Sequence, residues 1–241
     1  HMIAIIDARQ PSAVRDALRE CGFDIVALPA FPRLPAPVSG HPDMLIFIAC
    51  GVLFTHSEYY SIARSQIDKI VTVLNLDLVL CDDDIVSEYP YDVRFNLALV
   101  GEHVIGRRAS AAHHILEFCD RQSIDFIDVR QGYSKCSVCV VSDDAVITAD
   151  RDIALAARNI GIDVLEIIPG GVSLPGYDTG FLGGASGADA GNVYFSGNLA
   201  SHPDACAIEC FCHRHGKKVV SLSTEPLFDG GTMFFPTPHK R

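Results

Sequence analysis

The sequence predicts an α/β protein of five ββαβ units closed into a propeller-like ring. Three observations predict it. Two stretches align with one another at a period of roughly 40 residues. The same order of strand, tight turn, strand, helix and strand recurs at two further places. A split unit accounts for the two ends, with a strand–helix–strand piece at the amino end and an orphan strand at the carboxyl end. The competing arrangement is an open α/β sheet with two similar βαβ units. Closure is preferred because a ring leaves no sheet edge exposed.

Each element follows from local patterning. Ile3, Ala4, Ile5 and Ile6 form a short apolar run of strand type, residues 11–21 a helix, and residues 24–28 a second strand. Residues 43–48 turn near Cys50 and Gly51 into 52–54, and a helix around 57–69 leads to a strand over 70–74. The first aligned copy runs 96–100, turns at Gly101 and Glu102, and returns over 103–105. It continues through a helix with Ala111, Ala112, Ile115 and Leu116 into strand 124–129. The second copy runs 137–141, turns at 142–144 and returns over 145–147. Its helix carries Ile153, Ala154, Ala156 and Ala157, and its last strand is 162–167. Residues 192–195 reach Gly197, then a helix over 203–215 and a strand over 218–222. Residues 232–235 are the orphan strand that completes the first unit.

Composition bounds the function. The 241 residues are 49% hydrophobic and 20% charged, with Lys+Arg 19 against Asp+Glu 30 and a net charge of −11. Such apolar content excludes disorder, and 19 Gly with 13 Pro exclude a coiled coil. No apolar run approaches the ~18–20 residues that cross a bilayer, so no membrane partner is expected. The acidic balance argues against nucleic acid, which needs a basic footprint. A small-molecule ligand is expected, cationic if charge guides it. His1 and Met2 read as a tag remnant, which leaves 3–241 as a single domain. The nine cysteines are an odd number, and Cys50, Cys81, Cys119 and Cys139 sit in apolar runs. That is the usage of reduced thiols and points to the cytoplasm. No cofactor and no metal are expected, and the oligomeric state stays open.

Five such units, the last strand completing the first, resemble the pentein fold of guanidino-group-modifying enzymes. These include arginine and agmatine deiminases, dimethylarginine dimethylaminohydrolase and amidinotransferases. The stretches 40–43, 131–137, 180–186 and 201–204 most resemble a small bacterial branch of that fold. The resemblance implies a site on the pseudo-five-fold axis, lined by the start of each unit's first strand. It also implies a cysteine nucleophile in a G-G-x-x-x-C stretch near the carboxyl end, a histidine leading the third full unit, and carboxylates that clamp a guanidinium. Here Phe235 stands where that cysteine would be, after Gly230 and Gly231, and residues 132–135 contain no histidine. Neither role carries over by position.

The same residue types occur at other unit starts. His41 and Asp43 lead the first full unit, and Lys135 and Cys136 lead the third. Ser186 lies in the approach to the fourth, and Asp229 precedes the closing strand. The expected catalytic set is Cys136 as nucleophile, His41 as acid/base, Asp43 orienting it or holding substrate, and Lys135 or His41 favouring the thiolate. Asp43 or Asp229 would hold a guanidinium or ammonium. The alternative is that Cys136 begins a buried strand and residues 41–43 form a turn.

The Gly-rich stretch 169–187 permits close backbone approach, which makes Asp178, Gly184 and Ser186 candidate ligand contacts. It reads equally as a long connection with many positive-φ turns. Residues 201–204 repeat the His-Pro-Asp triplet at a helix start, with Ser201 as cap and Pro203 in the first turn. His202 and Asp204 are candidates if the hairpin loops fold over the axis. Cys136 and Cys139 have zinc half-site spacing, but strand residues three apart face opposite ways. Cys206, Cys210, Cys212, His213 and His215 are denser and read as the end of a half-buried helix. His113 and His114 read as a pair on a helix surface, and Arg107 and Arg108 as a solvated turn. Residues 29–37, with four prolines, form an extended loop that leads His41 to the axis or covers it.

Two function classes follow. One is a C–N hydrolase acting on a small guanidino, amidino or related nitrogen-rich compound through a relocated cysteine. The other is a non-catalytic pentein that binds a small molecule or a partner. The residues at the strand starts lean towards the enzyme.

Overall fold

The computed structural model describes residues 2–239. His1, read above as part of a tag remnant, lies outside the described residues. The amino-terminal piece is β1 (Ile3–Asp7), α1 (Ser12–Glu20) and β2 (Asp24–Leu28). The next unit holds α2 (Pro42–Leu45), β3 (Ile46–Ala49), β4 (Val52–His56), α3 (Ser57–Ile62), α4 (Arg64–Leu74) and β5 (Asp77–Cys81). Then come β6 (Ala98–Val100), β7 (His103–Gly106), α5 (His113–Gln122) and β8 (Asp125–Asp128). The fourth unit holds α6 (Ser134–Ser137), β9 (Val138–Ser142), β10 (Ala145–Thr148), α7 (Arg151–Asn159) and β11 (Asp163–Glu166). The fifth holds β12 (Ser186–Ala188), β13 (Asn192–Phe195), α8 (Ala205–Arg214) and β14 (Lys218–Ser221).

Four sheets have three strands each, the first antiparallel to the second and the second parallel to the third. The parallel pair needs a crossover, which the helix of each unit supplies. The first strands touch across units, β6 with β9 and β9 with β12, so they form the inner ring. β1 and β2 make a two-stranded parallel sheet, and Phe234 adds to it by an antiparallel bridge to Ile5. The two backbone bonds of that bridge, 2.9 and 3.1 Å, join the chain ends and close the ring. Apolar packing secures the seam. Tyr194 and Leu222 of the last unit share a cluster with Ala4, Ile6, Val14 and Phe23 of the first, and Met233 and Phe235 complete it.

The strand expected over residues 70–74 is instead the last part of α4. Ile67, Ile70 and Leu74 are buried at helical spacing, and Asn75 ends the helix at φ 53°. The strand lies later, at β5, where Leu78 pairs with Leu53 in register. The β-branched run fits a strand locally, but the helix face that meets the core decides. Ser201 does not cap α8 either. Its hydroxyl donates to the carbonyl of Asn198 and accepts from Leu227 N. No helix among the described residues is long and apolar enough to cross a membrane.

Candidate functional site

A single helical turn precedes the inner strand in two units, and each time it brings buried polar side chains to the axis. α2 begins with Pro42, whose fixed φ suits the first turn, and it buries Asp43 completely. α6 places Lys135 and Cys136 in the matching position before β9. Cys136 therefore stands on a helical turn, not at the head of a strand. Asn96 precedes β6, Gly184 precedes β12, and Asp229 to Thr232 lead the closing segment.

These residues meet in one buried cluster. The Cys136 thiol donates to Asp43 Oδ2 at 3.3 Å and accepts from Asn96 Nδ2 at 3.1 Å. Asn96 Oδ1 in turn accepts from the backbone N–H groups of Lys135 at 2.8 Å and Cys136 at 3.2 Å. Thr232 Oγ1 donates to Asp43 Oδ2 at 2.6 Å, and Lys135 Nζ donates to Thr232 Oγ1 at 3.3 Å and to the Val138 carbonyl at 3.1 Å. Asp229 accepts from the N–H groups of Phe181 and Gly231, both at 3.0 Å. His41 Nδ1 faces Asp229 Oδ1 at 3.7 Å. His41 is thus set against Asp229, whereas Asp43 holds the thiol.

Burial dominates the electrostatics. It pushes the Cys136 thiol well up, and the charges of Asp43 and Asp229 push the same way, while the Asn96 bond opposes them. It lowers the Lys135 ammonium, which the charge of Asp43 partly restores. It also pushes the Asp229 carboxyl up to about 6, with His41 opposing and Asp43 adding. Two buried atoms of the cluster, Asp43 Oδ1 and His41 Nδ1, have no hydrogen-bond partner among the described residues. Leaving such an atom unpaired costs about 1–3 kcal/mol, so the cluster is built at a cost that a ligand would relieve.

The raised Asp229 carboxyl makes stability depend on pH. Its folded value lies above the ordinary 3.8, so the folded state holds this proton more tightly than the unfolded state does. The resulting stabilisation is full below about 4 and is lost as pH rises through about 6. Relative to Asp229→Asn, the native chain is expected to gain about 2 kcal/mol between pH 7 and pH 4. Denaturant unfolding of both proteins across that range checks it, and a difference independent of pH refutes it.

Gly183 and Gly184, in the 169–187 stretch, serve close packing. A Cβ on Gly184 would lie 2.0 Å from Asp229 Oδ1, and one on Gly183 would lie 2.4 Å from the Cys136 carbonyl. Gly184, a candidate ligand contact, uses its N–H on the Cys136 carbonyl at 2.9 Å. Ser186 is buried and bonds the Gly183 carbonyl at 3.2 Å. A cavity of about 140 Å³ is lined by Ser137, Asp150, Pro169, Gly170, Phe181 and Leu182, of which Phe181 donates its N–H to Asp229.

Three expected contacts lie outside the cluster. Asp178 is exposed in the turn of the Gly-rich stretch, because that turn projects to solvent. Asp204 accepts from Ile168 N at 2.7 Å, and His202 Nδ1 accepts from Asp204 N at 3.0 Å. Asp204 therefore ties the start of α8 to the neighbouring loop, and His202 braces the turn that carries Asp204. The closing segment reaches the cluster through Thr232. Phe235 turns into the seam, with ring centroids 4.8 Å from Phe23 and 4.7 Å from Tyr194. Asn96 and Thr232 were not singled out in the sequence. The repeat places Asn96 opposite Ser137, and only the strand starts, Ala98 and Val138, set Asn96 in the position of Cys136. The loop over 29–37 leads directly into His41, and Arg9 latches it through the carbonyls of Ala36 at 2.7 Å and Pro37 at 3.1 Å.

Comparison with solved structures gives the fold. Twenty chains match, among them crystal structures of dimethylarginine dimethylaminohydrolase. Its adduct with 4-chloro-2-hydroxymethylpyridine superposes with a TM-score of 0.56 at 15% identity, over 93% of this chain and 92% of that one. A histidine-to-glycine variant carrying an adduct of S-methyl-L-thiocitrulline gives 0.59 at 14% identity, over 93% and 92%. A cysteine-to-serine mutant from Pseudomonas aeruginosa, complexed with citrulline, gives 0.57 at 15% identity, over 93% and 91%. The chain has the pentein fold. No curated protein matches the sequence. One family model matches residues 5–234, described as a family of unknown function, DUF6873.

Proposed function

Since this chain belongs to DUF6873, a family of unknown function, we propose a function from its own site: it hydrolyses a C–N bond of a small amidino or guanidino compound through Cys136. The observation that carries the reading is the axial cluster itself, in which a thiol is bonded to Asp43 while Asp43 Oδ1 and His41 Nδ1 stand buried and unpaired. An amidinium offers N–H donors to such acceptors. Solved proteins of the same fold hold citrulline and S-methyl-L-thiocitrulline, which supports a ureido or amidino ligand.

The chemistry balances on these residues. An amidinium beside Asp43 and Asp229 cancels the charge that keeps the thiol protonated. Asp43 then takes the thiol proton, and the sulfur adds to the amidino carbon. The C–N bond breaks as the departing nitrogen takes that proton, which releases ammonia or an amine. Water adds to the sulfur-bound carbon, losing its proton to Asp43 or His41. The C–S bond breaks, the sulfur regains a proton, and the product leaves, a ureido compound from a guanidine or an amide from an amidine.

A thermal-shift screen of guanidines, amidines, amino acids and cyclic ureides tests this, followed by assay of ammonia and ureido product. Cationic amidino compounds are expected to raise the melting temperature and to be turned over. Cys136 is expected to alkylate with iodoacetamide more slowly than the exposed Cys21, Cys50, Cys206 and Cys210, and more slowly still once an amidino compound covers the sulfur. Binding without product overturns the enzyme. That result would favour the second reading, a binding module, for which the 2% exposure of Cys136 speaks.

A further inference from the structure

A second cluster lies apart from the axis, on the outer strand of one unit and the helix of the next. Cys81 ends β5, Asp83 follows it by two residues, and His114 is the second residue of α5. One ligand atom from each lies within 4.8 Å of the other two. Asp83 Oδ2 and His114 Nδ1 are buried and have no hydrogen-bond partner among the described residues, and Cys81 is fully buried.

The surroundings hold these groups in place. Asp83 Oδ1 lies 3.1 Å from His113 N and 3.0 Å from His113 Nδ1, so one carboxylate oxygen is occupied and the other is left to the cluster. His56 Nδ1 accepts from Glu58 N at 3.2 Å, so its Nε2 carries the proton and donates to the Asp83 carbonyl at 3.1 Å. Asp82 and Asp84 add negative charge in the same run. Thiolate, carboxylate and imidazole together form a donor set of zinc type.

We propose that Cys81, Asp83 and His114 bind a divalent transition-metal ion, zinc by preference, with a fourth position left for water or an outside ligand. Binding displaces the thiol proton of Cys81 to solvent and pairs both orphaned atoms. His113 is a positioning residue, because it touches Asp83 and not the ion. The proposal does not depend on turnover at the axis.

Cobalt titration of the chelator-treated full chain tests it. One equivalent is expected to bind with a thiolate-to-cobalt charge-transfer band, and zinc is expected to displace it. Cys81→Ser should abolish the band. His113→Gln should weaken binding about 10–100-fold while the band persists at saturation. The half-buried His114 supplies a second variant that spares the core: His114→Gln is expected to lose at least about tenfold in affinity with its metal-free melting temperature unchanged. The double variant Cys206→Ser/Cys210→Ser is expected to keep the band. No cobalt uptake by the native chain overturns the proposal. So does a band that survives Cys81→Ser, or one lost with Cys206 and Cys210.

Discussion

Serine in place of Cys136 is expected to slow hydrolysis of the amidino compound found by the screen by about 10⁴-fold or more, with its dissociation constant little changed. The hydroxyl is far less acidic than the thiol, and Asp43, whose Oδ2 lies 3.3 Å from the sulfur, is too weak a base to ionise it. Both groups accept from Asn96 and donate to Asp43, so the cluster keeps its bonds. Measuring kcat beside the dissociation constant separates chemistry from binding. Full activity in the variant would show that Cys136 is not the nucleophile.

Alanine at Gly231 is expected to cost about 3 kcal/mol or more, because it adds a strained φ to a clash. Gly231 has φ 75°, and a Cβ there would lie 2.1 Å from His41 Cβ and 2.5 Å from His41 Cα. Backbone cannot swing aside as a side-chain tip can. For a chain of this size that corresponds to a fall of about 6–12 °C in melting temperature. Gly170, at φ 101° with nothing within 4 Å, isolates the backbone strain, and alanine there is expected to cost about 1 kcal/mol. Thermal melts of both variants decide the matter. Equal losses at the two positions would show that Gly231 is not a packing constraint at the axis.

The order of elements was legible because each unit repeats one pattern of apolar runs and tight turns, and periodicity survives in a linear chain. Closure was legible from the split first unit, and the bridge between Ile5 and Phe234 realises it. The error at residues 70–74 has the opposite origin. A short β-branched run fits helix or strand, and only burial of Ile67, Ile70 and Leu74 on one face selects the helix. Five of the candidate residues, His41, Asp43, Lys135, Cys136 and Asp229, share the axial cluster. They were legible because the unit starts must converge wherever five units close around an axis. His202 and Asp204 copy the triplet at 41–43, yet theirs opens a helix that ties down a loop.

By itself, then, the sequence determined the five-unit ring and the ends of the strands where polar side chains gather, since both follow from local pattern repeated along the chain. Which polar groups pair was decided by the tertiary structure alone. Asp43 holds Cys136 across 93 residues, and Thr232 reaches Asp43 across 189. Cys81 meets His114 only because β5 and α5 pack side by side. Such partners are chosen by distances of a few ångströms between elements remote in sequence, and no local pattern carries those distances.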